Sequence, residues 1–317
     1  MYKIYNTNVE TNKTTEIKEF AKGSWINLVS PTDEEINLIC NKLGIEEEYL
    51  RYPLDFEEKA RIDSDDEGNL LFIVDVPIIE KDTNSEAEAY STMPFGMMVV
   101  RDSYFITISL RQNDILKFIE KAIQRGLETY KKSKFIFEIL YTNASIFLKY
   151  LKQISKETEI AESVLKTSMK NKELLQLLSL EKSLVYFTTS LKSNEIVMEK
   201  TLRGKIIKLY EEDADLLEDA IIENKQAMEM SKIYSDILNG TMDAYASIIS
   251  NNLNGVMKFL TSITIILAIP TLIASIWGMN VPVPFQGTAY GFPVLLAVSL
   301  VVTLITIAWL KKRGFMN

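Results

Sequence analysis

Two long apolar segments near the C-terminal end dominate the hydropathy pattern of the chain. The first runs from Met257 to Trp277 (MKFLTSITIILAIPTLIASIW) and the second from Gly291 to Leu310 (GFPVLLAVSLVVTLITIAWL). About 20 apolar residues are enough for a helix to cross a bilayer, and the only charge in either segment is Lys258 at its edge. Buried helices of a soluble protein are the alternative, but two such segments joined by so short a loop favour a pair of membrane spans.

The chain before these segments divides into a mixed part and a helical part. Residues 1–110 contain alternating or β-branched runs, such as SWINLV, LLFIVDVPII and YFITISL, which predict strands. Between them Thr32 and Glu35 have the spacing of a capping box, which predicts a helix. From about Asp114 the chain is rich in Leu, Lys, Glu and Ile, and proline is absent until Pro270. This composition predicts helices at residues 114–130, 132–168, 172–205 and 211–277.

The acidic run DSDDEGN, from Asp63 to Asn69, resembles the start of a calcium-binding loop with glycine in the sixth place. The twelfth place of such a loop requires a glutamate, and Val74 stands there. We therefore interpret the run as a hairpin turn.

The last predicted helix carries a polar stripe that continues into the first apolar segment. Alternating steps of four and three residues meet small or polar side chains at every position except one methionine, and this period keeps them on one helix face. The stripe consists of Asp243, Ser247, Ser250, Asn254, Met257, Thr261, Thr264, Ala268, Thr271, Ser275 and Gly278. Small residues also let membrane helices pack closely, so a packing seam is the alternative to a pore lining. The continuation to Asn254 and Asp243 favours a pore, which needs a symmetric oligomer because two helices cannot enclose one.

Composition narrows the class of function. The chain has 43 acidic and 35 basic residues, yet residues 257–317 contain no acid, so the remainder is strongly acidic and unsuited to nucleic acid. The absence of histidine removes the usual catalytic dyads and most zinc sites, and the single Cys40 indicates a reducing compartment. We expect neither enzyme activity nor a resident cofactor. A bound metal would meet oxygen ligands, which suit hard ions such as magnesium.

The charges that flank the apolar segments predict their orientation. Lys258 precedes the first span, and Lys311, Lys312 and Arg313 follow the second, whereas the loop between them is uncharged. The positive-inside rule then places both termini in the cytoplasm and residues 281–290 outside. We expect a multi-pass protein of the cell membrane.

The triplet Gly278-Met279-Asn280 closes the first apolar segment, and with its surroundings it resembles the CorA family of magnesium and cobalt channels. The similarity is strongest over residues 211–317 and looser over WINLVSPTDEE and EEKARID…LLFIV. The further positions that carry it are Asn254, Val256-Met257-Lys258, Leu260-Thr261, Thr271, Ile273-Ala274, Gly291-Phe292-Pro293 and the closing Lys311-Lys312-Arg313.

This resemblance implies a homopentameric, funnel-shaped channel with an α+β cytoplasmic domain, a long stalk helix and two transmembrane helices. The implied divisions are a funnel domain with a helical layer (1–210), a stalk (211–256), a pore-lining span (257–280), an extracellular loop (281–290), a second span (291–310) and a basic tail (311–317). It further implies passive uptake of magnesium, and also of cobalt, driven by the membrane potential and gated by cytoplasmic magnesium. Magnesium would be substrate and regulatory ligand, and the partners would be other copies of the chain, divalent cations and the bilayer.

The resemblance also assigns roles to individual residues. It assigns ion selectivity to Gly278, Met279 and Asn280, whose carbonyl and amide oxygens could hydrogen-bond a hydrated ion. The pore lining falls on Asn254, Met257, Leu260, Thr264, Ala268, Thr271 and Ser275, with Met257 and Leu260 as a hydrophobic gate. The regulatory metal falls on Asp219, with Asp82, Glu86 and Asp243 as further candidates. Without the resemblance, acids on a stalk helix would indicate only a solvated face.

Three features depart from the family pattern, and one of them is Trp277, an interfacial aromatic that stands where a tyrosine is usual. The loop VPVPFQGTA has no acid, so cation capture would rest on Asn280, backbone carbonyls and Gln286. Ala268 is smaller than the methionine common at its level, which predicts a weaker constriction.

Two other functions stay open. One is an exporter of zinc or nickel on the same scaffold, against which the intact triplet and the missing histidine argue. The other is a membrane-anchored sensor or scaffold without transport, in which the stripe would be a packing seam.

Overall fold

The computed structural model describes residues 1–81, 88–124, 126–167, 171–204, 206–207 and 210–315. The chain separates into two compact units, Met1–Asn239 and Gly240–Asn317. The boundary lies inside one long helix, so residues 211–239 of the predicted stalk belong to the first unit.

The first unit contains a mixed sheet, which has seven strands within the described residues. The strands are β1 (Tyr2–Asn8), β2 (Lys13–Ile17), β3 (Trp25–Val29), β4 (Arg61–Ser64), β5 (Leu70–Lys81), β6 (Glu88–Val100) and β7 (Tyr104–Ser109). Their order is β2-β1-β3-β7-β6-β5-β4, and only the central β3–β7 pair is parallel. The predicted strands are thus confirmed, whereas β2, a polar edge strand, was not predicted.

The helices largely follow the predicted periods. They are α1 (Asp33–Leu43), α2 (Glu47–Arg51), α3 (Asp114–Gln124), α4 (Lys132–Thr167), α5 (Asn171–Gly204), α6 (Glu211–Trp277) and α7 (Gly291–Lys312). The predicted extension of α3 to residue 130 is wrong. Gly126, with φ +96°, donates to the carbonyl of Ile123, and Leu127 donates to that of Ala122, which ends the helix in a left-handed cap.

Two local predictions near the start of the chain are confirmed. Thr32 Oγ1 accepts the N–H of Glu35, and the Glu35 carboxylate accepts the N–H of Thr32, so α1 begins with a capping box. The run from Asp63 to Asn69 is a hairpin turn between β4 and β5. In that turn Asp65 Oδ1 accepts the backbone N–H of Asn69 at 2.8 Å.

Aromatic packing holds helices against the sheet. Trp25 of β3, Phe105 of β7 and Phe135 of α4 are almost completely buried, and the ring centroids of Phe105 and Phe135 lie 4.7 Å apart. Alternate residues such as Ile26 and Ile106 enter a second apolar cluster, which α1 covers. This alternation is what a sheet with two covered faces requires.

Buried asparagine side chains join β5 to helices α4 and α5. The backbone N–H of Asp75 donates to Asn194 Oδ1 of α5 at 2.8 Å. Nδ2 of Asn194 and Nδ2 of Asn143 in α4 each donate to the Asp75 carbonyl at 2.8 Å. Burial raises the pKa of the Asp75 carboxyl to about 6, and the Ser190 hydroxyl beside it only partly opposes that effect.

The second unit is built differently, from the C-terminal part of α6 and the whole of α7. Among its described residues, only Tyr245, Ser262, Gly291 and Leu310 are buried. The architecture is therefore an α+β N-terminal domain, a long helix α6 whose C-terminal part is apolar, and a second apolar helix α7, as predicted.

Candidate ion pathway

Two helices within the described residues, α6 and α7, are long and apolar enough to cross a membrane. Almost none of their apolar surface is buried inside the chain. The core helix of a soluble protein would be mostly covered, whereas a membrane helix can leave its apolar side chains to lipid. We therefore treat the end of α6 and α7 as the membrane-spanning segments.

The polar stripe lies on an uncovered face of α6. All its positions from Asp243 to Gly278 are exposed in the single chain. The shielded positions Ile266, Ile273 and Trp277 each follow a stripe residue by two places, which is about 200° around a helix of 3.6 residues per turn. The stripe is therefore opposite the shielded side of α6 and is not a seam between the two spans of one chain.

At both ends of the helical hairpin, residues that follow or begin α7 contact this other side of α6. Ser262 Oγ donates to the carbonyl of Lys258 in its own helix at 2.8 Å and lies 3.4 Å from the carbonyl oxygen of Phe315, which follows α7. At the opposite end, a Cβ placed on Gly291 would lie 3.1 Å from the Trp277 ring, so glycine allows this close approach. Both ends of the helical hairpin are thus joined on the side away from the stripe.

The hydroxyl groups of the stripe are satisfied within their own helix. Thr261 donates to the carbonyl of Met257 at 2.8 Å, Thr264 to that of Leu260 at 2.9 Å, and Thr271 to that of Leu267 at 3.0 Å. Each hydroxyl oxygen keeps lone pairs that can accept a hydrogen bond from water. The stripe can therefore face a hydrated ion without breaking any helical bond.

The triplet begins where α6 ends, at Trp277. The N–H of Gly278 still bonds to the carbonyl of Ala274 at 2.9 Å, and Met279 makes a longer 3.4 Å bond to the carbonyl of Ile276. Asn280 is exposed. The helix thus unwinds over the triplet, as its proposed role at a pore mouth requires.

A tethered turn follows the triplet. Trp277 Nε1 donates to the carbonyl of Pro284 at 3.0 Å, and Phe285 and Gly287 adopt positive φ values of 64° and 77°. Gln286, a candidate for cation capture, accepts the N–H of Val283 through Oε1 at 3.4 Å. Gln286 thus contributes to the shape of the loop, and its exposed side chain stays a candidate for cation capture beside Asn280 and backbone carbonyls.

The remaining predicted pore positions are uncovered as well. Met257 and Leu260, the predicted gate, are 54% and 56% exposed. Asn254 and Ala268 are likewise exposed. Large apolar side chains left this open on a polar stripe need another chain or lipid to cover them.

The predicted regulatory acids are dispersed within one chain. Asp219 is exposed on α6 in the first unit, together with Asp215 and Glu218, and Asp243 is exposed in the second unit. No group of three or more acidic, cysteine or histidine side chains in the described part of the chain could hold a metal. Asp82 and Glu86 lie outside the described residues.

Trp277 and Gly291 are site residues that sequence reasoning did not identify. Trp277 looks like an interfacial aromatic in the sequence, yet its ring packs at Gly291 and its N–H holds the loop. A glycine at the first position of a span is the only hint, since a close contact needs a missing side chain.

The chain matches one family of known proteins over most of its length. The sequence model of the CorA-like Mg²⁺ transporter protein family matches residues 20–312. The cobalt/magnesium transport protein CorA of Methanocaldococcus jannaschii is 28% identical over 301 residues, which are 92% of this chain and 90% of that protein. Its counterpart in Thermotoga maritima is 28% identical over 240 residues, or 68% and 65% of the two chains.

The fold agrees with the sequence match. The complete structure of the CorA magnesium transporter from Methanocaldococcus jannaschii superposes with a TM-score of 0.86 at 24% identity, covering 100% of this chain and 99% of that one. Since the family model spans nearly the whole chain, the protein belongs to the CorA-like family of Mg²⁺ transporters.

Proposed function

We propose that this membrane protein is a passive magnesium channel that also passes cobalt. The channel is a homopentamer in which five copies of α6 line the pore and α7 packs outside them. The observation that carries the proposal is the exposed polar stripe, which lies opposite the α7 contacts and leads to Gly278 and Asn280. An exposed polar face inside a membrane must be covered by water or by other copies of the chain. In a ring of copies the stripe faces a water-filled pore, and each helix packs against its neighbours beside the stripe.

The selective ring is formed by the triplet Gly278-Met279-Asn280 at the outer end of the pore. Magnesium gives up its waters reluctantly, so neutral carbonyl and amide oxygens can hydrogen-bond the hydrated ion without stripping it. Five neutral acceptors attract a dication without trapping it. The hydroxyls of Thr264 and Thr271 and the amide of Asn254 continue this lining, alongside Ala268 and Ser275.

The driving force is the membrane potential. With both termini in the cytoplasm, an inside-negative potential draws a dication inward, worth about 4.6 kcal/mol per 100 mV for two charges. Residues 281–290 form the extracellular loop, and residues 311–317 the basic cytoplasmic tail. The flux requires no chemical step, so the proposal includes no catalytic residue and no cofactor.

Cytoplasmic magnesium closes the channel by binding between copies. Asp219 and its acidic neighbours Asp215 and Glu218 on α6 are exposed. A dication between facing carboxylates removes their repulsion and favours the symmetric closed state, in which rings of Met257 and Leu260 exclude water. Asp243 is a second candidate for such a site.

The test is magnesium flux into proteoliposomes with low internal magnesium, with wild type beside Asn280→Ala. We expect flux through Asn280→Ala to fall at least about tenfold, which corresponds to roughly 1.4 kcal/mol of lost ion stabilisation. The matched control is Gln226→Ala, which removes an exposed amide of α6 in the first unit, away from the stripe. Both variants must assemble like the wild type.

Three other results of this assay would contradict the proposed filter or favour one of the two alternative functions. Unchanged flux through Asn280→Ala would place selectivity elsewhere in the pore. An assembled wild type without flux would favour the non-transporting sensor. Zinc or nickel flux that exceeds magnesium flux under the same potential would favour the transition-metal exporter.

A further inference from the structure

A basic cluster lies where the two membrane helices end on the same side. It consists of Lys258 of α6 and of Lys311, Lys312 and Arg313 at the end of α7, and all four side chains are exposed. No acidic residue occurs anywhere in residues 257–317. The positive charge of this basic cluster is therefore not neutralised within its own segment.

The chain after α7 folds back and brings the two helix ends together. Gly314 has φ +70°, and its N–H donates to the carbonyl of Lys311 at 3.1 Å. The N–H of Phe315 donates to the carbonyl of Leu310 at 3.1 Å, which completes a helix-ending turn. The Phe315 carbonyl then lies 3.4 Å from the hydroxyl of the fully buried Ser262, which also donates to the carbonyl of Lys258 at 2.8 Å.

Aromatic rings orient two of the cations. Lys258 Nζ lies 5.9 Å from the centroid of the Phe315 ring, and Arg313 Cζ lies 5.6 Å from that of Trp309. Lys258 precedes Ser262 by one helical turn, so it lies on the α6 face that Phe315 covers. Trp309 is 55% exposed at the end of its span, as aromatic residues at a headgroup boundary commonly are.

We propose that the basic cluster binds the phosphate of an anionic phospholipid in the adjacent leaflet. The site combines cations from both spans with apolar helix surface beside them, so it can take the headgroup and the acyl chains of one molecule together. Juxtamembrane basic residues attract anionic headgroups, and each is worth about fivefold in affinity. A zwitterionic lipid offers the same phosphate but no net charge, so the site discriminates between the two.

The experiment is native mass spectrometry of the full chain in detergent, with phosphatidylglycerol and phosphatidylcholine of identical acyl chains. We expect wild type to retain phosphatidylglycerol at least about fivefold more strongly. Lys258→Gln and the double variant Lys311→Gln/Lys312→Gln should each reduce that preference, the double variant more. The control Lys232→Gln removes an exposed lysine of α6 in the first unit and should leave it unchanged.

A second variant separates charge from folding. Phe315→Ala keeps every cation but removes the ring beneath Lys258, so it should weaken the preference less than either charge variant. Size-exclusion chromatography identifies any variant that no longer assembles.

Three outcomes would overturn the proposal. They are equal retention of the two lipids by wild type, a preference that survives both charge variants, and displacement of phosphatidylglycerol by millimolar inorganic phosphate. The last would indicate a general anion site. Asn280→Ala should keep the lipid preference while losing flux, so failure of the channel proposal and failure of the lipid proposal are distinguishable.

Discussion

The two units of the chain use apolar residues in opposite ways. In Met1–Asn239 the largest apolar side chains, such as Trp25, Phe72 and Phe105, are completely buried. In Gly240–Asn317, by contrast, Leu267 is 67% exposed. The first pattern is that of a domain that buries its core from water, and the second is that of helices whose solvent is lipid or another copy of the chain.

The buried polar side chains of the sheet and the hydroxyls of the stripe differ in a related way. In the first unit the buried side chains pair across elements: Trp25 Nε1 donates to Thr107 Oγ1 at 2.9 Å, and Thr107 donates to Asn27 Oδ1 at 3.0 Å. In the second unit Thr264 and Thr271 return their protons to the preceding turn of the same helix. Cross-element pairs specify one packed interior, whereas self-satisfied hydroxyls leave a helix free to present its polar face elsewhere.

The largest expected effect tests the burial contrast directly. Phe72→Ala should lower the free energy of unfolding of the first unit by about 3–5 kcal/mol, because it leaves a cavity in a closed core. Leu267→Ala in the second unit should cost less than about 1 kcal/mol, since its own chain does not cover it. Urea unfolding of the solubilised protein, followed by tryptophan fluorescence, measures both. Equal losses would mean that the Leu267 face is packed as tightly as the core.

The second effect concerns the partly buried carboxyl of Asp75 in the first unit. Because the pKa of Asp75 is about 6 when folded and about 3.9 when unfolded, the folded state holds the proton more tightly. The resulting stability is complete below about pH 4 and is lost as the pH rises through 6. Asp75→Asn should therefore raise the free energy of unfolding by up to about 3 kcal/mol at pH 8 and change it little at pH 4.

Thermal unfolding at the two pH values checks this, with the exposed Asp66→Asn as the matched control. If Asp75→Asn raises the free energy of unfolding equally at both pH values, the cause is packing and not charge.

A third and smaller effect compares two threonines with the same local geometry. Thr271 lies on the stripe, and Thr306 of α7 makes the equivalent bond to the carbonyl of Val302 at 2.9 Å. Thr271→Val should lower magnesium flux about fivefold, because it removes one hydrogen-bond acceptor from the proposed lining, worth about 1 kcal/mol. Thr306→Val should change flux little. Equal effects in the liposome assay would contradict the assignment of the stripe to the pore.

The smallest effect concerns regulation. Asp219→Ala should raise the magnesium concentration that half-protects the first unit from protease by at most about fivefold, since exposed charge pairs contribute no more than about 1 kcal/mol. Glu229→Ala, another exposed acid of α6, serves as the control. Protection that is unchanged in Asp219→Ala, or equally weakened in both variants, would remove Asp219 from the regulatory site.

Much of the fold could be predicted because local patterns and tertiary packing agree. The capping box at Thr32 and the end of α6 at Trp277 are local signals, and the structure contains both. Strand β2 was missed because most of its side chains are exposed, so it lacks an apolar alternation. Helix α3 ended early because a glycine cap overrode the helical composition beyond it.

The candidate site likewise has features that local patterns predict and features that they do not. The position of the triplet, the polar stripe and the family membership all follow from residue identity and spacing, and the family match confirms the last of these. The role of Trp277 in tethering the loop depends on a carbonyl seven residues away and on Gly291, and no periodicity reports such a contact. The hydrogen bond that Gln286 Oε1 accepts within the turn is likewise not reported by any periodicity.

The sequence by itself determined the two spans, the stripe and the acidic body, because each depends on the kind of residue that recurs at a fixed period. Only the tertiary structure decided which face of α6 stays open, since that depends on where Ser262 and Trp277 meet the ends of α7. It likewise decided that the carboxyl of Asp75 in β5 is partly buried next to α5. The physical reason is that periodicity describes one element at a time, whereas burial is a property of several elements packed together.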